Sequence, residues 1–392
     1  MTFIKLQKER LTCLYYYLIA MIIRPFIRIK KNRIFFWSYY FDKFACNPKA
    51  LTEYILDKHP EDFEIYWAFE KKFDISCLDK RIHVVRYRTL KYFFALYSSR
   101  FVFTNLRNAR YDTGFVKKAN QKYIMLWHGS FPLKKIEKDA EIQLGPVYVR
   151  RAKDDSRMCD LMLADSNWIA SLIKRSFWYD GDILYSGLPR NDVFYNKQKI
   201  SEVYSDIRKQ YGLTEETKLV LYAPTFRDDG LLHYYDLNWS RIILCLEETL
   251  NAKVSVFVRL HPNMSKINGI EALINDSRVI NVTNAPDITD FLLAADIMIS
   301  DYTSAMFDFC RLGRPCFMYA IDADTYNRGF YWTLADLPFS LANNEDELIE
   351  NIRDFNYDSY NRNVSEFIKE SWGLFENGHA CQIIYNWMIS IK

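Results

Sequence analysis

The sequence predicts an α/β protein built from two Rossmann-like domains whose parallel sheets face a central cleft. Three observations carry this. At 392 residues the chain exceeds the size at which one hydrophobic core stops growing. Short β-branched or aromatic runs alternate with helix-length amphipathic segments, the pattern of parallel sheets covered by helices. The runs also fall into two sets, separated by a polar helical connector around 191–212, "NDVFYNKQKISEVYSDIRKQYG".

Taken in order, the first set of strands is expected at 33–40, 63–69, 82–87, 100–105, 122–129, 161–165 and 182–187. Helices such as "TLKYFFALYSS" and "NWIASLIKRSF" lie between them. The second set is expected at 218–225, 253–260, 278–283, 296–300 and 315–320. In "DIMISDYTSAMFDFCRLGRPCFMYA" a strand ends at Ser300 and a helix capped by Thr303 and Ser304 runs to Leu312. Gly313 and Pro315 stop it. The chain shows no internal repeat and no low-complexity tract.

Apolar residues make up 49% and charged residues 26%, ordinary for a globular protein and against long disorder. The net charge of +3 is uneven: residues 1–33 hold eight Lys or Arg against Glu9, so that stretch carries +7 and the rest −4. Such a balance implies no general polyanion-binding face, and no nucleic-acid partner is expected. The eight cysteines are scattered, without CxxC or Cys/His metal spacing, as expected of free thiols in a reducing compartment. "LTCLYYYLIAMII" is a 13-residue uncharged run followed by Arg24 and Pro25. It falls short of the ~20 residues a spanning helix needs. Its aromatic residues and basic flanks suit a helix lying on an anionic membrane surface, the alternative being a buried first helix of the fold.

Open parallel sheets bind ligands beyond the carboxyl ends of their strands, and here those positions are polar. "FVRLHPNMS" ends a strand with Arg259 and His261 at alternate positions, then Pro262. "LYAPTFRDDG" puts Thr225 and Arg227 after another, Arg227 being suited to bidentate phosphate contact. Thr303 and Ser304 open a helix, whose free amides suit a phosphate, and Asp308 lies one turn further in. "YIMLWHGS" ends a strand with His128 and Gly129, followed by Lys134 and Lys135. Gly129 would permit close backbone approach, and a histidine there suits proton abstraction near neutral pH. "IDADTYNRGFYW" adds Asp322, Asp324, Tyr326 and Arg328, a mixture fit for a polyol or nucleoside pocket or a plain loop. No DxD-like cluster is placed to hold a metal. The sum is a metal-independent site for phosphate chemistry.

"LWHGSFPLKK", "YAPTFRDDG", "RLHPN", "DITDFLLAADIMISDYTSAMFDF" and "YNRGFYW" together resemble, in order and spacing, the CDP-glycerol glycerophosphotransferase family of teichoic-acid and capsule enzymes. The resemblance covers roughly residues 120–350. It implies a GT-B fold and transfer of a polyol phosphate from a CDP-alcohol to an acceptor hydroxyl, releasing CMP without a cofactor. By motif, His128 matches the acceptor-side base, with Gly129, Lys134 and Lys135 beside it. His261 matches the histidine at the donor pyrophosphate. Thr225, Arg227, Arg259, Thr303, Ser304 and Asp308 match donor-phosphate and nucleotide positions. The partners implied are CDP-glycerol or CDP-ribitol, a lipid-linked or polymeric glycan acceptor, and the cytoplasmic membrane surface, bound peripherally.

The domains expected are a basic membrane-surface segment (1–33), an acceptor-side domain (34–197), a CDP-alcohol domain (198–370) and a last helix (371–392) packing back on the first domain. The sequence departs from the family's usual WHG-T-P-L-K by one extra residue before Pro132, and "LPFSLANNEDEL" replaces a Gly-Pro turn after "RGFYW". Two rivals stand beside this reading: a GT-B glycosyltransferase using a nucleotide sugar, and a non-catalytic membrane-associated scaffold.

Overall fold

Two parallel sheets organise the chain. The computed structural model describes residues 3–392 except 228–230, 262–263, 265–272, 275, 286 and 327–328, and the side chains of 3–6 and 8–10. Pro262, Arg328, and the side chains of Lys5, Lys8 and Arg10 lie outside the described residues. The chain divides into two compact units. The first comprises Met1–His128, Ile136–Asp192 and Phe375–Lys392, and the second Gly129–Lys135 and Val193–Leu374.

In the first unit seven strands form one sheet: β1 (Lys30–Trp37), β2 (Glu64–Phe69), β3 (His83–Arg86), β4 (Ser99–Thr104), β5 (Lys122–Met125), β6 (Leu161–Ala164) and β7 (Asp182–Tyr185). Their order is β3-β2-β1-β4-β5-β6-β7, and every pairing is parallel. Strands buried on both faces must be apolar throughout, which is why "RIFFW" reads as a run and not an alternation. Parallel register sets Phe36 beside Trp67 and Phe103, and their rings stack at 5.6 and 5.1 Å. The helix Ala380–Ser390 completes this core with Cys381, Ile384 and Met388, all buried. Asp192 caps it, accepting from the amides of Ala380 (2.8 Å) and Cys381 (2.9 Å).

The second unit repeats the plan with β8 (Lys218–Tyr222), β9 (Val254–Val258), β10 (Val279–Asn281), β11 (Ile297–Ser300), β12 (Cys316–Tyr319) and β13 (Ser340–Ala342). The order is β10-β9-β8-β11-β12-β13, again all parallel. Every strand read from the sequence is present, with β1, β5 and β8 ending three or four residues earlier than expected. β13 is the strand that reading lacked. The helix expected from Thr303 to Leu312 is a short α-helix (Ala305–Phe309) and a 3-10 turn (Cys310–Leu312), closed by Gly313 at φ 63°. Strand order reverses between β1 and β4, and again between β8 and β11, so each sheet has the switch point where loops part and ligands enter.

Residues 129–135 follow β5 yet pack with the second unit. Phe131 is fully buried among Phe307 (4.4 Å), Trp332, Phe367 and Trp372 (each 5.3–5.5 Å). Lys134 bridges to Phe330, while Lys135 N donates to Gly329 O (3.0 Å) and Tyr331 N to Leu133 O (2.9 Å). Arg227 laces three strand ends of the same unit. Its guanidinium, 7% exposed, meets Asp301 (2.9 Å) and both oxygens of Asp322 (2.7 and 2.8 Å). The rings of Tyr302 (4.8 Å), Tyr234 and Tyr326 (both 5.4 Å) stand against it. Burial alone would raise the Asp322 carboxyl, but the hydrogen bonds from Arg227 and Tyr302 hold it below the usual carboxylate range.

Two outcomes follow from this packing. Phe131→Ala should cost about 3–5 kcal/mol, the range for emptying an aromatic site in a close-packed core, read as a lower denaturant midpoint. Arg227→Met should cost about 3–5 kcal/mol by leaving two buried carboxylates unpaired. Adding Asp322→Asn to that variant should recover part of the loss in the same assay.

Candidate active site

His128 stands at the carboxyl edge of the first unit's sheet. The β5 ladder extends one residue, with Leu126 N donating to Thr104 O (2.8 Å), and then Trp127 turns left-handed at φ 55°. Asn47, fully buried, donates to the carbonyls of Leu126 (3.0 Å) and Trp127 (2.9 Å) and fixes that turn. His128 Nδ1 lies 3.0 Å from the carbonyl of Asn105 at the end of β4. A carbonyl only accepts, so Nδ1 carries the proton and Nε2 the lone pair in the neutral ring. Burial pushes the imidazole pKa down to about 4, helped by the charge of Arg190 and opposed by the Asn105 bond. The ring is therefore neutral at physiological pH, although part of the residue reaches solvent.

The neighbouring loop is strained in the same place. Tyr39, Tyr40 and Phe41 have φ of 42°, 57° and 73°, a run of left-handed residues without glycine. Tyr39 N donates to Asn105 Oδ1 (3.1 Å), and its ring lies 6.4 Å from that of His128.

In the second unit, the loops after β9, β8, β11 and β12 are consecutive because those strands are neighbours. They bring Arg259 and His261, Thr225 and Arg227, Thr303 and Ser304, and Asp322 to one sheet edge. His261 is exposed, its ring 5.4 Å from Phe226. Thr225 N donates to Asp301 Oδ1 (2.8 Å), while its Oγ1 is buried and has no hydrogen-bond partner among the described residues. Thr303 Oγ1 accepts from Ala305 N (3.3 Å) and so caps the short helix; Ser304 makes no cap bond. Ser304 Oγ instead lies 3.5 Å from where a Cβ on Gly129 would sit, so these two positions adjoin within the second unit.

Three of the residues expected at the donor phosphate or nucleotide are engaged within their own unit. Arg227 is spent on Asp301 and Asp322. Arg259 donates to the carbonyls of Val282 (3.0 Å) and Ala285 (2.8 Å). Asp308, 3% exposed, is paired with Arg311 (3.2 Å), whose other amine donates to Ser130 Oγ (3.2 Å). Lys134 lies 5.9 Å from the ring of Tyr326, and Lys135 is exposed beside Gly329. Among the described residues, no group of three His, Cys, Asp or Glu side chains is arranged to hold a metal ion.

Sequence reasoning missed Asn47, Asn105 and Arg190. Arg190 Nη1 donates to the carbonyl of His128 itself (2.9 Å), and Arg190 N to Asn47 Oδ1 (3.0 Å). The one available signal was "GLPRND", a Gly-Pro turn dense in polar residues just after a strand.

Residues 18–390 match the family model described as CDP-Glycerol:Poly(glycerophosphate) glycerophosphotransferase. The chain is 27% identical over 377 residues to the teichoic acid poly(glycerol phosphate) polymerase of Bacillus subtilis (strain 168), covering 92% of this chain and 48% of that protein. It is 29% identical over 335 residues to the teichoic acid glycerol-phosphate transferase of Staphylococcus aureus (strain NCTC 8325 / PS 47), covering 82% and 84%. The chain thus spans about half the length of the polymerase and most of the transferase. A structure of the wall teichoic acid polymerase TagF superposes with a TM-score of 0.80 at 26% identity, over 99% of this chain and 94% of that one. Its fold is accordingly α/β of the GT-B type. With a family model spanning nearly the whole chain and a matching fold, the chain belongs to the CDP-glycerol:poly(glycerophosphate) glycerophosphotransferase family.

Proposed function

We propose that the chain transfers a polyol phosphate from a CDP-alcohol, CDP-glycerol or CDP-ribitol, to a hydroxyl of a teichoic-acid-type acceptor, releasing CMP. Family membership supports the reaction class. The observation that carries the mechanism is the neutral His128 imidazole, held through Nδ1 by Asn105 with Nε2 left basic. His128 Nε2 takes the proton of the acceptor hydroxyl. The oxygen attacks the alcohol-bearing phosphorus, a new O–P bond forms, and the bond to the CMP oxygen breaks. His261 and the hydroxyls of Thr225, Thr303 and Ser304 meet the charge that develops on the departing phosphate. Arg227, Arg259 and Asp308 act at one remove, ordering the loops that present those groups. No step calls for a cofactor.

The chain also lies on a membrane surface in this reading. The helix Phe3–Ile23 packs one face on the first unit through Cys13 and Ala20, with Tyr17 against Tyr111 at 4.8 Å. Its other face exposes Leu11, Leu14, Tyr15, Leu18 and Ile22, followed by Phe26 at 84% exposure. Spacings of three and four residues make these one stripe. No helix among the described residues is long and apolar enough to cross a membrane. Arg33 is buried on Glu64 and Arg24 donates to Lys117 O, while Arg28 and Lys31 stay exposed to meet anionic headgroups on the cytoplasmic face.

Purified protein offered a panel of CDP-alcohols and an acceptor should release CMP, and His128→Ala should lower that rate by ~10²–10⁴-fold while donor binding persists. Release of a nucleoside diphosphate from a sugar donor instead, or an undiminished His128→Ala rate, refutes the reading. Leu14→Glu with Leu18→Glu should weaken co-sedimentation with anionic vesicles by about tenfold or more at unchanged melting temperature. Equal sedimentation would mean the stripe does not face lipid.

A further inference from the structure

We infer that Arg190 is the positioning residue for His128: it grips the histidine's own peptide and places a fixed cation beside the imidazole. The inference deepens the reading of His128 as the base and rests on it. The contact is direct, from Arg190 Nη1 to the His128 carbonyl at 2.9 Å. Arg190 is held in turn along a short, heavily bonded segment. Its amide donates to Asn47 Oδ1 (3.0 Å), and Asn47 is the side chain that fixes the carbonyls of Leu126 and Trp127. One residue on, Asn191 donates to both oxygens of Glu376 (3.1 and 3.2 Å), and Leu188 N also donates to Glu376 (2.7 Å). Asp192 caps the last helix. Two residues, Arg190 and Asn47, thus close a ring of hydrogen bonds around residues 126–128, and each of those three carbonyls is taken.

The charge acts alongside the geometry. Around the ring stand the Asn105 carbonyl from the β4 end, the Tyr39 phenol from the β1 loop, Trp127, and Arg190. The Cys46 thiol lies 4.0 Å from Arg190 on the helix Cys46–Lys58. Arg190 is the charged member that acts on the imidazole, and like charge disfavours its protonation. The sign is definite: removing Arg190 lets the imidazole hold its proton to higher pH. Burial, the larger cause, keeps the midpoint below the free-histidine value.

The test is imidazole NMR on the full chain labelled with 15N-histidine, the His128 signals assigned by their loss in His128→Gln. Wild type should show an unprotonated Nε2 at neutral pH and a midpoint well under 6.5. In Arg190→Met, which keeps the stem's packing, the midpoint should rise by about one unit. The kcat for CMP release should fall about tenfold with donor KM nearly unchanged, as for loss of base positioning. Arg190→Lys should return the midpoint to near the wild-type value. An unmoved titration in folded Arg190→Met overturns the proposal, and so does a parallel loss of kcat, donor affinity and melting temperature with no shift. Arg190→Gln replaces the methionine variant if that one does not fold. Wild type inert towards every CDP-alcohol would remove the base reading, while the titration would still decide the Arg190 contact.

Discussion

Parallel pairing is the constraint on which the rest depends. When all strands run the same way, every carboxyl-end loop gathers at one edge, and the first and fourth strands of each unit send theirs apart. The backbone groups exposed at that gap must find partners, and both units answer alike. In the first, Asn105 after β4 takes the Tyr39 amide of the β1 loop (3.1 Å). In the second, Asp301 after β11 takes the Thr225 amide of the β8 loop (2.8 Å). A short polar side chain at the end of the fourth strand bridges the switch point in each case. The same residues then hold the candidate site: Asn105 orients His128 through its carbonyl, and Asp301 anchors Arg227 through its carboxylate.

Buried arginine explains why several motif residues are engaged within their own unit. Arg227 and Arg259 sit in the segments that most resemble phosphate-binding loops, yet their guanidiniums are engaged by carboxylates and carbonyls of their own unit. Arg107 does the same in the first unit, joining Glu137 (2.8 Å) and Asp155 (3.3 Å). A planar group with five donors is well suited to join several loops at once, whereas a lysine offers a single point charge. Desolvation makes such pairs nearly neutral for stability when intact and costly when broken. Their value lies in fixing the loops that carry smaller groups such as Thr225 and Ser304.

Most of the fold was legible because buried parallel strands are apolar on both faces, and runs such as "RIFFW" and "VSVFV" announce themselves. β13 did not, being three residues, "SLA", at a sheet edge with one exposed position. The placement of His128 at a strand end was also readable, since the residues from Tyr123 to Trp127 are apolar or aromatic. Arg190 and Asn47 were not, because their hydrogen bonds span 62 to 143 residues and leave no local pattern. The segment 129–135 was assigned by its neighbour in sequence to the acceptor side. Its packing is decided by Phe131, the extra residue before Pro132, whose partners lie at 307, 332, 367 and 372.

The turn after β5 bears on how His128 is held. In the role proposed for it, His128 has to keep its lone pair in one direction, and a histidine just past a strand's end does not do so unaided. Upstream, Trp127 accepts a left-handed φ of 55°, a conformation that costs a bulky residue about 1–3 kcal/mol. The Asn47 bonds to the flanking carbonyls offset that strain and fix the direction in which the chain leaves β5. A glycine-like turn without these bonds would relieve the strain and also free the imidazole to swing. Strain retained at Trp127 is therefore what a fixed Nε2 requires, and the left-handed run at Tyr39–Phe41, tied to the same Asn105, fits the same account.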